Sequence, residues 1–168
     1  GTTLADFADR SLGIGYAGGS ALLLGLLLLS LAAWKRAMGS VSVETVDSPR
    51  AEGFYWVTIL FSQTLGTALG DWTADTAGLG YAGGAVLFTA LLALVFVASR
   101  TTRISRTALF WSAFILTRPL GAVVGDFLDK PLAKGGLALG RFPASMVLLV
   151  LIVALITLTK QRPAREAH

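Results

Sequence analysis

A chain of 168 residues that is 54% apolar and only 14% charged, with a mean hydropathy of +0.70, is not solvated chiefly by water, since soluble domains carry about a quarter charged residues. Its net charge of +4 comes from Lys and Arg that flank apolar runs, a topology signal that leaves no case for nucleic acid as a partner. With no cysteine and one histidine, at the extreme end, disulfides, thiolate metal sites and Ser-His arrangements are excluded; neither an enzyme nor a cofactor is expected.

Taken in chain order, uncharged runs long enough to cross a hydrocarbon core of roughly 30 Å as a helix lie at 13–34, 53–70, 76–99, 107–125 and 142–159. The fourth is interrupted by Arg118. Residues 1–8 are too short to span and read as the end of a sixth helix whose beginning is missing, so the chain reads as truncated or processed at its start. The expected fold class is all-α, a polytopic transmembrane helix bundle forming a single domain over 1–168, with linkers too short for a soluble domain. The linkers carry Lys35, Arg36, Arg50, Arg100, Arg103 and Arg106 and the tail Lys160, Arg162 and Arg165 on one side, against Arg10, Lys130, Lys134 and Arg141 on the other. The positive-inside rule places the richer side, and the C-terminus, in the cytoplasm. Trp34, Trp56 and Trp111 fall near that side, either as interfacial anchors or as packing residues.

The chain repeats itself. Gly1-Thr2-Thr3-Leu4-Ala5-Asp6-Phe7 matches Gly66-Thr67-Ala68-Leu69-Gly70-Asp71-Trp72, and Gly13-Ile14-Gly15-Tyr16-Ala17-Gly18-Gly19 matches Gly78-Leu79-Gly80-Tyr81-Ala82-Gly83-Gly84. A third copy reads Leu120-Gly121-Ala122-Val123-Val124-Gly125-Asp126-Phe127, with Phe110-Trp111 in the register of Tyr55-Trp56. Each repeat is thus an aromatic-rich helix ending in Gly-Asp, a short outer loop, and a returning helix of Leu, Ala and Val, with Tyr-Ala-Gly-Gly forming the outer loop and the tight entry of the returning helix. The boundaries are 1–52 for a partial repeat, then 53–106 and 107–168.

On these residues the chain resembles a family of bacterial multi-pass membrane proteins built from a tandem two-helix repeat of unknown function, uncharacterised membrane-anchored proteins with a tryptophan in each repeat. Trp56 and Trp111 fit that tryptophan, and Gly70-Asp71 and Gly125-Asp126 the repeat end. The resemblance covers essentially the whole chain and implies a bacterial cytoplasmic membrane location and four repeats. Here the first copy lacks its helix, which suggests a missing N-terminal repeat; a homo-oligomer is the other way to complete the set.

Of the ten acidic residues, Asp6, Asp9, Asp71, Asp75, Asp126 and Asp129 belong to the repeated motif. A carboxylate at mid-membrane costs roughly 2.5–3.5 kcal/mol, less toward the interface, so retaining it requires something that binds or pairs with it. Asp6, Asp71 and Asp126 are therefore the first candidates for an ion or proton pathway, with Asp9, Asp75 and Asp129 secondary; capping of outer-loop backbone is the structural alternative. Gly66-x-x-x-Gly70 and Gly121-x-x-x-Gly125 have the spacing that lets helix backbones approach, so the motif helices are expected to pack through these four glycines. Arg118, the basic residue inside a span, aligns with Gln63; it is expected to meet a motif carboxylate or a wet cavity. The function expected is movement of a small hard cation, or of protons coupled to another solute, in the lipid bilayer, the metal if any being unknown. The alternative is a non-transporting scaffold that binds another membrane protein.

Overall fold

The computed structural model describes residues 15–43 and 46–159, so the first motif copy, with Asp6 and Asp9, lies outside the described residues. Within them the chain forms α1 (Gly15–Met38), α2 (Pro49–Asp71) continued by a π-helical turn (Trp72–Thr76), α3 (Gly80–Thr101), α4 (Arg106–Asp129), a short 3-10 turn (Leu132–Lys134) and α5 (Arg141–Leu158). All-α architecture follows from long Leu, Ala and Val runs with punctuation at their ends. Ser48 caps α2 by accepting from the Ala51 amide at 3.3 Å, with Pro49 in the first turn, and Ser105 caps α4 by accepting from Ala108 at 3.2 Å. The twin glycines Gly15 and Gly80 start α1 and α3 at φ +66° and +64°, a conformation that costs glycine little. The Tyr-Ala-Gly-Gly segments therefore sit in the first turns of these helices, at the tight entry expected for them, and not in the loop that precedes it.

Among the described residues four helices, α1, α3, α4 and α5, are long and apolar enough to cross a membrane. The chain is a multi-pass membrane protein with a lipid bilayer as its surroundings. The run expected as a span at 53–70 does form a helix of full length, 23 residues in α2, yet it is the one of the five that falls short in apolarity. Its packing accounts for this. α1 lies along one side of α2 and α4 along another, and Thr58, Ser62, Thr64, Leu65, Gly66, Ala68 and Gly70 are all buried. A helix sheathed by its neighbours has less need of an apolar surface than one that faces lipid.

The helices joined at the basic end pack closely, α1 with α2 and α3 with α4, and α2 packs with α4. Each close hairpin thus pairs the returning helix of one repeat with the motif helix of the next. α5 has α4 as its main neighbour and only a short contact with it, so most of its Leu, Ile and Val surface is outward. Leu23, Leu27, Leu65 and Ala68 form the buried apolar centre, with Phe61, Leu69 and Ile115 against it.

At the basic end the tryptophans divide between the two roles open to them. Trp34 is buried, edge-on to Tyr55 (6.3 Å between centroids) and to Trp111 (5.9 Å), and buried Trp111 donates its Nε1–H to the Val41 carbonyl at 2.8 Å. Trp56 is 58% exposed and donates to Glu52 at 3.2 Å, as suits an interfacial aromatic. Trp56 and Trp111 are repeat equivalents; they differ because Trp111 faces the other helices and Trp56 faces away from them.

Candidate functional site: a polar seam along the central helix

α2 and α4 run parallel and touch where α2 lacks side chains. A Cβ on Gly66 would overlap that of Arg118 and fall 3.1 and 3.2 Å from the Arg118 C and Cα atoms; one on Gly70 would lie 3.0 Å from the Ala122 Cβ. Small residues are what allow two membrane helices this close. The expectation of four glycines in the seam needs correction for α4, where a Cβ on Gly121 or Gly125 would meet nothing within 4 Å. α4 turns Arg118, Ala122 and Val123 to the seam because the helices are offset by about a turn, so that Gly66 faces Arg118 and not its own equivalent, Gly121.

The same approach brings together Gln63 and Arg118, which the repeat aligns. With the amide oriented by its hydrogen bonds, the Gln63 oxygen accepts from Arg118 Nη1 at 3.0 Å and Nη2 at 3.2 Å. The guanidinium also lies 4.5 Å from the centroid of the Phe114 ring. Of the two surroundings expected for Arg118, a motif carboxylate or a wet cavity, the first is not met among the described residues, where no acidic group is within ion-pair distance of it; Asp6 lies outside them. Asp71 and Asp126 are about two turns further along their helices, roughly 12 Å away in rise alone.

Polar groups continue up and down α2 from this pair. Thr58 shares a hydrogen bond with Ser30 of α1 at 3.1 Å, while Thr64 and Thr73 bond back to carbonyls of their own helix, at 2.8 Å to Leu60 and 2.9 Å to Leu69. Ser20 Oγ, Ser62 Oγ and Arg118 Nε are buried without a hydrogen-bond partner. Buried polar atoms of this kind are rare in folded proteins and are commonly met by internal water.

At the acidic end, α2 passes through half-buried Asp71 into the π turn that carries exposed Asp75, and α4 ends with half-buried Asp126 and Asp129. Tyr81, buried at the start of α3, lies within electrostatic reach of Asp71, Asp75, Asp126 and its own repeat twin Tyr16. Asp126 is 3.9 Å from Lys130, in a partly exposed i, i+4 pair worth little in stability. The aspartates of two repeats therefore gather around a tyrosine, which sequence reasoning missed. The repeated Tyr next to each glycine pair was the available signal. Among the described residues no three acidic or histidine side chains are placed to hold a metal ion.

Chemically, this is a group of carboxylates at one end of a seam of hydroxyls, with the Arg118 guanidinium at mid-depth. Comparison with known proteins adds a family and no chemistry. The model of the family described as Repeat of Unknown Function (DUF347) matches residues 1–40, 54–105 and 109–162, and the chain belongs to that family. No curated protein and no solved structure matches it.

Proposed function

Starting from a member of a membrane repeat family whose description carries no activity, we propose that the protein moves protons, coupled to a small polar solute, along the seam of α2. The observation that carries this reading is the course of the polar groups. Thr58 and Ser62 lie a turn apart on the buried side of α2, the Gln63–Arg118 pair stands beside them, and beyond the close contact at Gly66 and Gly70 come Asp71 and Thr73. Asp71 and Asp126 exchange protons at the acidic end, with Asp6 as a third contributor from the remaining motif copy. The Arg118 guanidinium repels cations at mid-depth; at about 4 Å a like charge costs roughly 4 kcal/mol at an effective dielectric near 20. That barrier opposes hydronium and bare metal cations alike, so protons cross bound to side chains and together with an uncharged or anionic solute, not as free hydronium.

Proton entry into proteoliposomes, followed with a trapped pH dye under an imposed potential, tests the reading. Flux is expected above that of empty vesicles and at least about tenfold lower in Asp71→Asn and Asp126→Asn, which keep shape and hydrogen bonding. Full flux in both variants would leave the aspartates as loop caps. The competing scaffold reading draws support from α5, whose outward apolar surface would suit a partner helix; absence of any flux above empty vesicles would favour it.

The basic end is proposed to face the cytoplasm of a bacterial cell, the C-terminus with it. In this cysteine-free chain, Ser105→Cys should resist an impermeant thiol reagent added from outside, while Asp75→Cys reacts. Labelling of Ser105→Cys from outside would reverse the orientation.

A further inference from the structure

The outer faces of α1 and α2 form a groove of about 630 Å³ at the basic end, which meets the seam only at Ser30. Its walls include Leu29 and Ala33 of α1 and Phe54 and Phe61 of α2, and Arg50 stands at its mouth. Gly53 supplies its depth, since a Cβ there would meet nothing within 4 Å and would project into open space. A neighbouring furrow shares Leu29 and Ala33 and ends on Lys35 and Arg36. Two apolar channels thus run to three exposed cations at the level where α1 ends and α2 begins. Among the described residues the acidic groups at this end are exposed Asp47 and Glu52, and Glu52 is engaged by the Trp56 indole.

We propose that this groove is a binding site for an anionic glycerophospholipid, with one acyl chain between α1 and α2 and the phosphate on Arg50, supported by Lys35 and Arg36. The lining decides the tail and the charge decides the head. The positive-inside bias accounts for basic residues on this linker, and the groove sets Arg50 at the end of an apolar trough where a headgroup phosphate would stand, whereas a site for free phosphate would need no trough. Basic side chains at the membrane surface contribute about 1 kcal/mol each toward anionic lipid, so Arg50 alone gives roughly a fivefold preference.

The test uses the purified full chain in detergent, with phosphatidylglycerol and phosphatidylcholine of identical acyl chains, read by native mass spectrometry for retained lipid and by thermal unfolding. The wild type is expected to retain phosphatidylglycerol in preference and to be stabilised by it. Arg50→Gln should weaken that preference about fivefold. Gly53→Leu should fill the groove and abolish retention of both lipids, without disturbing the fold. Gly25→Leu, whose side chain also enters open space but outside the groove, should behave as the wild type. Equal retention of the two lipids with Gly53→Leu unaffected would overturn the proposal, as would equal stabilisation by glycerol phosphate alone.

Discussion

Replacing Gly66 by Leu is expected to separate α2 from α4 and unfold the centre of the bundle, whereas Leu at Gly121 or Gly125 is expected to change stability by well under 1 kcal/mol. The difference is one of geometry. The new Cβ at Gly66 would collide with the backbone of Arg118 as well as its Cβ, and two helical backbones have no rotamer with which to yield. Overpacking in ordinary cores costs about 1–3 kcal/mol, and a clash against main chain belongs at or above the top of that range. Gly70, opposite Ala122, should be intermediate, since a methyl group at 3.0 Å needs only a small shift. Unfolding in mixed micelles checks the series. Equal tolerance at Gly66 and Gly121 would show that the helices do not meet in this register.

The second large effect is expected at the pair that the seam creates. Gln63→Leu removes the acceptor of both Arg118 terminal nitrogens and leaves a half-buried guanidinium with a ring face and an already unpartnered Nε. A stranded buried hydrogen-bonding group costs about 1–3 kcal/mol, and a charged one more. Removing both members, in Gln63→Leu with Arg118→Leu, should be less destabilising than Gln63→Leu alone, because no charge is left without partners. The four proteins of this cycle give the coupling by difference, with flux measured beside stability. Strict additivity would mean that the two side chains do not interact. Recovery of stability in the double variant without recovery of flux is the result that assigns Arg118 to the pathway.

The residues of the fold were easier to read than its contacts. Hydropathy located every helix within a few residues, because length and apolarity in a bilayer are properties of each segment alone. The relation between helices is a property of pairs. Gly-x-x-x-Gly marked α2 and α4 as packing helices, but nothing in either segment fixes an offset of about one turn. That offset decides that Gly66 meets Arg118 while Gly121 meets nothing. The pairing of Gln63 with Arg118 was half legible: their equivalence in the repeat was visible, and parallel packing of equivalent helices brings equivalent positions near each other. Trp56 and Trp111 show the limit of that logic, for equal positions in the repeat face different surroundings once one motif helix is central and the next lies beside it. The acidic group was legible in its aspartates and not in Tyr81, whose place beside them depends on where α3 begins.

The claim on which the functional reading rests is that the buried hydroxyl side of α2 is wet at mid-membrane depth. Because the chain contains no cysteine, a single thiol can report it: Ser62→Cys places the probe on the fully buried seam, and Leu60→Cys places it on the same helix at a position 44% exposed on the outer surface. A thiol reacts as thiolate, and a thiolate forms only where water reaches it. In proteoliposomes treated with a small hydrophilic methanethiosulfonate, the result expected is modification of Ser62→Cys and inertness of Leu60→Cys, despite the greater exposure of Leu60. Inertness of both, with the protein folded, would mean a dry seam and would contradict a pathway along α2.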